Sequence, residues 1–393
     1  MTEPDFLRRD VSLREEDLLP QPPRPRWRMG EMAGARVDLK DLGLAELETF
    51  VETRGNKRYR ARQIIQWLYQ KDVSSFDDMT NLSKDFRAEL ARDAYISRLL
   101  PAEIHRSTDG SRKFLFRLAD GGEIESVVMP EEGRLTLCIS TQVGCPVACR
   151  FCVTGLGGVK RNLSTSEILG QIQAAVRDLQ PGERLTNVVV MGMGEPLLNY
   201  DNLVRSLKLS LMDETFGLSH RRITVSTSGI VPNMRRLGHD LPVNLAVSLN
   251  ATTEEQRREV MPISKKWGIE EVLEACRDYP LAGNKLITFE YVLLAGVNDS
   301  PADAARLFRL VKGIRCKINL IPYNENPWME YRRPSVEVVK SFQHYLVSRH
   351  LLTTVRWSRA GDVGGACGQL GATQAQAKAG PPPGRAEIAS SPS

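Results

Sequence analysis

The stretch RLTLCISTQVGCPVACRFC, residues 134–152, decides how the fold of this chain is interpreted. Its first half contains the apolar run LTLCIS (135–140), which predicts a buried strand. Its second half places Cys145, Cys149 and Cys152 at the spacing C-x3-C-x2-C, with no fourth cysteine nearby. Three thiolates at this spacing can converge on one metal site and leave one metal position open. An open iron position can bind a substrate or cofactor, so the stretch predicts an enzyme.

The composition indicates a protein with a large core. The chain has 393 residues, of which 41% are hydrophobic, and its length predicts two or three domains. The formal charge of +5 permits a nucleic-acid partner without requiring one. Seven cysteines are too few for a disulfide scaffold and indicate a reducing compartment. The N-terminus lacks the apolar segment of a signal peptide, and no uncharged apolar run reaches about 18 residues. We therefore expect a cytoplasmic protein with no membrane span.

Strand-like and helix-like segments alternate after about residue 131. The candidate strands cover residues 135–140, 187–193, 222–229, 243–250, 287–294 and 317–323. Strands that alternate with amphipathic helices predict βαβ units and a parallel sheet. The strands are apolar nearly throughout, which predicts that both of their faces are covered. The expected fold is α/β, a partial TIM-type (β/α)6 barrel with a small helical N-terminal domain. In such barrels the active site lies at the carboxyl ends of the strands, where the triple cysteine falls.

The chain divides into six expected segments. They are a disordered N-terminal segment (1–36), a helical accessory RNA-binding domain (37–104), a β-hairpin extension (105–130), the barrel (131–360), the Cys367 loop (361–371), expected to be catalytic, and a disordered tail (372–393). Basic residues crowd positions 54–62 of the helical segment. A solvated helix face accounts for such a cluster, and so does a surface that binds RNA.

Glycine and small polar residues follow several of the candidate strands. Gly194 and Glu195 come after the second strand, where glycine permits a close backbone approach and the carboxylate can accept a hydrogen bond from an ammonium group. Ser226, Ser248 and Asn324 follow later strands. Such residues can hold a ribose or an adenine, although they also cap helices.

The other four cysteines divide into two pairs. Cys276 and Cys316 lie in apolar patterns and are expected to be small core residues. Cys138 lies in the first strand, close to the triple cysteine, and Cys367 lies in a glycine-flanked loop. These two thiols suggest thiol–disulfide chemistry at one site, and two unrelated thiols are an equally good interpretation of the pattern.

The runs STQVGCPVACRFC, NVVVMGMGEPLLN, RRITVSTSGIVP, CKINLIPYNENP and GDVGGACGQL closely resemble the RlmN/Cfr family of radical S-adenosylmethionine (SAM) RNA-adenosine methyltransferases. The resemblance extends from about Val37 to Gly371. It implies that the triple cysteine holds a [4Fe-4S] cluster whose open iron chelates SAM. The SAM contacts that it implies are Gly194, Glu195, Ser226, Ser248, Leu249, Asn250 and Asn324. The sequence departs from the family at Asn250, where a histidine is common, and at Val363–Gly364–Gly365 in the Cys367 loop.

The same resemblance implies a reaction that uses two SAM molecules per turnover. Cys367 would receive a methyl group from the first, and a radical derived from the second would activate that methyl group for addition to an adenine. Cys138 would then resolve the protein–RNA thioether and leave a disulfide, with Glu125 as the proton acceptor. The implied substrates are adenosine 2503 of 23S rRNA and adenosine 37 of tRNAs, both methylated at C2. A flavodoxin-type electron donor and a monomeric enzyme are also expected.

Three alternatives remain open at this point. Methylation at C8, as in the Cfr branch of the family, would leave most of the same residues in place. A non-catalytic iron–sulfur RNA-binding protein would not require Cys367 or the polar residues at the strand ends. A zinc site is a third interpretation of the triple cysteine.

Overall fold

The computed structural model describes residues 36–371, and the predicted terminal segments fall outside this range apart from Arg36. Three helices form its N-terminal part, and a short parallel pair of strands joins the two ends of that part. The helices are α1 (Leu44–Glu52), α2 (Arg60–Tyr69) and α3 (Lys84–Asp93), and the strands are β1 (Val37–Asp38) and β2 (Ala94–Tyr95). Ile64, Ile65 and Leu68 recur at helical spacing on α2 and are buried, so one apolar face of this helix packs into the core.

A ten-stranded sheet forms the centre of the molecule. Three antiparallel strands come first: β3 (Pro101–Arg106), β4 (Arg112–Arg117) and β5 (Glu123–Glu131). The turn at Asp120–Gly121–Gly122 lies between β4 and β5, which pair antiparallel. The sequence pattern did not predict β3, which begins at Pro101 and is mostly exposed. These strands extend the sheet on one side of the parallel region.

The parallel region contains seven strands, separated along the chain by helices. The strands are β6 (Arg134–Cys138), β9 (Asn187–Val190), β10 (Ile223–Thr227), β11 (Asn244–Ser248), β12 (Ile287–Leu293), β13 (Cys316–Pro322) and β14 (Thr353–Val355). The helices are α4 (Val153–Leu156), α5 (Thr165–Arg177), α6 (Tyr200–Ser210), α7 (Val231–Asp240), α8 (Glu254–Val260), α9 (Ile269–Arg277), α10 (Pro301–Leu310) and α11 (Val336–Val347). A separate antiparallel pair, β7 (Gln142–Gly144) and β8 (Val159–Asn162), flanks the triple cysteine.

The order across the central sheet is β14-β13-β12-β11-β10-β9-β6-β5-β4-β3. Every neighbouring pair from β6 to β14 is parallel. The predicted α/β fold with six βα repeats is therefore confirmed, and β14 adds a short seventh strand. Among residues 36–371, no helix is long and apolar enough to cross a bilayer.

The two faces of these strands differ in polarity, although both carry buried residues. Residues such as Val188, Val225 and Phe289 point outward and are completely buried in the core that the surrounding helices share. The residues on the other face include Cys138, Thr224, Ser226, Ser248, Glu290 and Asn319. The inner face is polar because it lines the site.

Contacts between distant strands show that the sheet is curled. Four strands separate β9 from β14 in the sheet order. In a flat sheet these strands would lie about 24 Å apart, at about 4.8 Å per step. Nevertheless, Nη1 of Arg356, just after β14, lies 3.7 Å from Sδ of Met191, just after β9. The carboxyl ends of the strands therefore surround a common opening.

Candidate active site

The triple cysteine lies in a loop between β7 and α4, which we call the cluster loop (145–152). All three thiols are free and half-buried. The loop leaves β7 through Gly144, whose φ is +83° and where a Cβ would overlap the carbonyl oxygen of Gly158. It is held there because the Cys145 amide donates to that same oxygen at 2.9 Å. Ala148 is also left-handed, with φ +54°, so the loop follows a tightly constrained path.

The three thiols influence one another electrostatically. Burial is the main cause that raises the pKa of Cys145, Cys149 and Cys152, and neighbouring thiols raise the pKa of Cys145 and Cys149 further. A bound metal cation would offset this effect, because its positive charge favours the deprotonated thiolate. Within residues 36–371, no three His, Cys, Asp or Glu side chains are arranged so that they could bind a single metal ion. Three free, mutually interacting thiols fit a [4Fe-4S] cluster, in which each cysteine binds a different iron.

Two glycines after β9 allow its loop to pack against the chain that leads to the cluster loop. A Cβ on Gly192 would lie 2.7 Å from the carbonyl oxygen of Ile139. At Gly194 the φ is +102°, and a Cβ would lie 2.6 Å from Cβ of Gln142. The Glu195 amide then donates to Oε1 of Gln142 at 2.8 Å. Glycine is therefore required at both positions by close contact.

Glu195 is buried, and its carboxylate is saturated by protein donors. Oε1 accepts from the amide of Leu197 at 3.0 Å and from Oγ1 of Thr227 at 2.8 Å. Oε2 accepts from the amide and the hydroxyl of Ser228 at 2.7 and 2.8 Å. Burial raises the pKa of Glu195, whereas these hydrogen bonds lower it because they stabilise the carboxylate. Because a carboxylate offers about four acceptor sites, a SAM ammonium group would have to share one of them.

The predicted residues at the ends of β10 and β11 converge on Glu290 of β12. Oγ of Ser226 donates to Oε2 of Glu290 at 3.1 Å. Ser248 lies directly beside Glu290 in the parallel register, and the Leu249 amide donates to the Glu290 carbonyl at 3.0 Å. Oε1 of Glu290 is buried without a hydrogen-bond partner among the described residues. The structure therefore brings Ser226, Ser248 and Leu249 together around an acidic group.

Asn250 has a clear structural role. Its φ is +56°, a conformation that asparagine adopts more readily than most residues. Its Oδ1 accepts from the amide of Val292 at 2.8 Å, and its Nδ2 lies 3.2 Å from Sδ of Met261. Both polar atoms of the side chain thus contact protein groups, and a contact between Asn250 and SAM stays a prediction.

The Cys367 loop lies against the cluster loop and its following helix. The Val153 amide, one residue after Cys152, donates to the carbonyl of Gly368 at 2.8 Å. Oγ1 of Thr154 donates to the carbonyl of Leu370 at 2.8 Å. Cys367 itself is exposed, and Nδ2 of Asn324 donates to its carbonyl at 3.0 Å. Asn324, predicted to contact SAM, is therefore adjacent to the predicted nucleophile.

Glu125 holds the end of the same loop. Its Oε2 accepts from the amide of Gly371 at 2.6 Å, and its Oε1 lies 3.0 Å from Nζ of Lys113. The Glu125 carbonyl also accepts from Oγ of Ser140, two residues beyond Cys138 in the chain. Glu125 is buried, so its carboxylate is fixed between a cation and the Cys367 loop.

Cys138 is buried on the inner face of the sheet. Burial raises the pKa of its thiol to about 12, Cys367 raises it further, and Arg356 opposes both. Because Cys367 raises the pKa of Cys138, the two thiols lie close enough to interact electrostatically. The structure thus brings together the two cysteines that the sequence pattern left as possibly unrelated.

Four charged residues of the site were not predicted: Lys113, Arg257, Glu290 and Arg356. Arg257 is fully buried and donates to the carbonyls of Leu249, Trp267 and Ser228 at 3.3, 3.0 and 2.7 Å. Burial lowers its pKa to about 10. It thereby fixes the chain just after β10 and β11. Of these four residues, Glu290 could have been noticed in the sequence as a single acid in the apolar run ITFEYVL, because a buried charge is costly unless it has a partner.

Comparison with known proteins identifies the family. A family model described as the ribosomal RNA large subunit methyltransferase N-terminal domain matches residues 37–96, and a radical SAM superfamily model matches residues 139–308. A Geobacter sulfurreducens protein named dual-specificity RNA methyltransferase RlmN is 52% identical over 334 residues, which cover 85% of this chain and 92% of that protein. The chain belongs to the RlmN family. A Pelobacter propionicus protein of the same name is 50% identical over 336 residues, covering 85% of this chain and 96% of that protein.

A solved structure supports the RlmN-family fold. The crystal structure of a radical SAM methyltransferase from Sphaerobacter thermophilus is 44% identical, has a TM-score of 0.80, and covers 86% of this chain and 99% of its own. The chain is thus a radical SAM methyltransferase that uses a [4Fe-4S] cluster and SAM. The non-catalytic and zinc alternatives are set aside.

Proposed function

We propose that this RlmN-family enzyme methylates C2 of adenosine 2503 in 23S rRNA and of adenosine 37 in tRNAs. It does so through S-methylated Cys367 and consumes two SAM molecules per turnover. The names of its relatives, dual-specificity RNA methyltransferases, support two RNA substrates. The observation that carries the proposal is that the Cys367 loop packs against the cluster loop, where the Cys367 thiol interacts electrostatically with Cys138 and Cys152. The enzyme acts in the cytoplasm as a monomer and receives electrons from a flavodoxin-type donor.

The residues at the strand ends provide the cofactor site. Cys145, Cys149 and Cys152 hold the cluster. When bound, the cluster and SAM supply the methyl group and the radical that activates it. The SAM contacts in this proposal are Gly194, Glu195, Ser226, Ser248, Leu249, Asn250 and Asn324. Glu195 contributes mainly by tying the β9 loop to the end of β10, since protein donors already occupy both of its oxygens.

The two remaining thiols differ in the way their roles require. Cys367 is exposed on a loop, so its sulfur can reach a methyl donor and then an RNA base. Cys138 is buried, and its raised pKa keeps it protonated and unreactive in the resting enzyme. Adenine C2 is electron-poor, so direct transfer of an electrophilic methyl group to it fails. A thiol-bound methyl group avoids this because it can add as a radical, and Glu125 then accepts the proton that C2 loses.

The N-terminal helical part provides a second RNA contact. Chemistry on an adenine requires a base that is free of its stack, as in a single-stranded loop. Tyr59 is exposed beside the basic residues at positions 54–62, and the guanidinium of Arg60 lies 5.0 Å from its ring. A cation beside an exposed aromatic ring suits the backbone and bases of such a loop.

The decisive test uses Cys138→Ala in cluster-loaded enzyme with SAM, a reductant and RNA. We expect a covalent protein–RNA adduct through Cys367, because the residue that resolves the thioether is missing. Cys276→Ala is the matched control, since Cys276 is buried outside the site and should release free product. Absence of an adduct from Cys138→Ala, with Cys367 still S-methylated, would contradict the assigned thiol roles.

A second measurement fixes the target atom and the substrates. Each RNA is treated separately with wild-type enzyme, digested and analysed by mass spectrometry. The proposal requires 2-methyladenosine from both the 23S rRNA fragment and tRNA. If 8-methyladenosine is the sole product, the enzyme belongs functionally with the Cfr branch.

A further inference from the structure

Arg356 occupies an unusual position in the curled sheet. It follows β14 at the edge of the sheet, where its amide donates to the carbonyl of Leu320 at 2.8 Å. Its half-buried side chain crosses the opening and places Nη1 3.7 Å from Sδ of Met191. The ion pairs found within residues 36–371 do not include Arg356. Arg359, three residues further on, lies 3.9 Å from a carboxylate oxygen of Glu131.

The guanidinium of Arg356 lies near Cys138 in the sheet, because it contacts Met191, two residues after Val189, and Val189 is paired with Cys138. Its pKa is raised by Cys367 above all, and then by Glu290 and Cys138. A guanidinium without an ion pair is costly to bury unless it stabilises a negative charge. Glu290 supplies one such charge, and a thiolate that forms during turnover would supply a second.

The surroundings of Cys138 offer few other sources of positive charge. Its neighbours in β5 and β9 are Val127 and Val189, which carry no charge. Cys367 and Glu290 disfavour the thiolate, as does burial, the largest effect. A backbone hydrogen bond from Met191, the residue that Arg356 contacts, favours it together with Arg356. Among the main influences on Cys138 from residues 36–371, Arg356 is the charged group that favours the thiolate.

We propose that Arg356 is a positioning residue that stabilises the thiolate of Cys138 when it forms in the step that releases the methylated base. This inference rests on the proposed function. In that step the Cys138 thiolate, having lost its proton to solvent, attacks the Cys367 sulfur of the cysteine–methylene–adenine thioether. The sulfur–sulfur bond forms and the Cys367 sulfur–carbon bond breaks. The electron pair of the broken bond stays on the methylene carbon, which takes a proton and becomes the methyl group.

This step balances without a further oxidant, because the carbon gains the two electrons that the thiols lose in the disulfide. The guanidinium keeps its charge throughout. It lowers the energy of the thiolate before the attack and interacts weakly with the neutral disulfide afterwards. The effect of Arg356 is thus confined to the stage at which Cys138 carries a charge.

The test measures the Cys138 thiolate directly in the cluster-loaded enzyme. Iodoacetamide is added at several pH values, and modification of the Cys138 peptide is followed by mass spectrometry. In Arg356→Met we expect the rate to fall about tenfold at a given pH, which corresponds to a pKa higher by about one unit. Arg356→Lys should restore most of the rate because it keeps the charge. Arg359→Met is the matched control and should react like wild type.

A single-turnover reaction with RNA provides the second readout. Arg356→Met should S-methylate Cys367 and then accumulate the protein–RNA adduct, as in Cys138→Ala. Wild-type alkylation rates in Arg356→Met overturn the proposal. So does a loss of RNA affinity with unchanged alkylation, which would make Arg356 a phosphate contact. If wild type forms no methyladenosine but Cys138 is still alkylated faster in wild type than in Arg356→Met, the proposed function fails. The stabilisation of the Cys138 thiolate by Arg356 would then still stand.

Discussion

The substitution Gly194→Ala tests whether close backbone packing forms the SAM site. The Cβ that it adds would lie 2.6 Å from Cβ and 2.8 Å from the backbone nitrogen of Gln142. Gly182→Ala is the matched control, because its φ of +86° imposes similar backbone strain while nothing lies within 4 Å of the added Cβ. The two variants share the strain and differ in the steric clash.

The magnitudes follow from these two contributions. A non-glycine residue at such a φ costs about 1–3 kcal/mol. Overpacking against a backbone atom adds about 1–3 kcal/mol in Gly194→Ala. A domain the size of this barrel loses about 2–4 °C in Tm for each kcal/mol, so Gly194→Ala should unfold several degrees below Gly182→Ala.

The clash also has a functional consequence. Relief of the contact moves Gln142, whose Oε1 holds the Glu195 amide at 2.8 Å. We therefore expect the Kd for SAM, measured by calorimetry on cluster-loaded enzyme, to rise at least about tenfold in Gly194→Ala, a cost of about 1.4 kcal/mol. It should stay unchanged in Gly182→Ala. Equal Tm losses and wild-type SAM affinity in both variants would refute the argument.

Three further outcomes are expected. Burial lowers the pKa of Lys40 from 10.5 to about 8, so the folded chain loses this proton before the unfolded chain does, and stability should rise with pH between these values. Measurement of Tm against pH in wild type and in Lys40→Met checks this. In Lys40→Met the contribution of Lys40 to the rise in stability between pH 8 and 10.5 should be absent. Cys276→Ala and Cys316→Ala should each cost about 1 kcal/mol in thermal unfolding and leave the iron content intact, because both are buried core residues. A loss of iron in either would contradict that assignment. Asp362→Asn should increase hydrogen exchange in the Cys367 loop, because Asp362 accepts from Ser107 and Thr108 at 2.6–3.2 Å, while the barrel should exchange as in wild type.

The parallel strands and the triple cysteine could be predicted because both are local patterns. Each strand is a short apolar run, and the cysteine spacing is contained within eight residues, 145–152. The polar inner face was missed because inward-facing residues such as Thr224 and Ser226 are small and interrupt the runs only weakly. β3 was missed because it is mostly exposed and its composition resembles that of a loop.

The charged residues of the site depend on the tertiary fold. Arg257 belongs to the run EEQRREV, which resembles a solvated helix, yet it is fully buried. Arg356 contacts Met191 only because the sheet is curled, and no spacing in the sequence reveals that curvature. Likewise, the sequence shows that Glu195 follows a glycine-rich turn but not that its oxygens are already occupied.

The curled sheet also has a consequence for biosynthesis. Cys138 lies in the first parallel strand and Cys367 follows the last, so 229 positions (367 − 138) separate two thiols that interact electrostatically. Contacts this distant in sequence form late in folding. The three cysteines proposed to hold the cluster are translated well before Cys367, the proposed methyl acceptor. A nascent chain that stops before β14 therefore has the proposed cluster ligands but not the proposed methyl acceptor, so we expect the complete site to form only after β14 has joined the sheet.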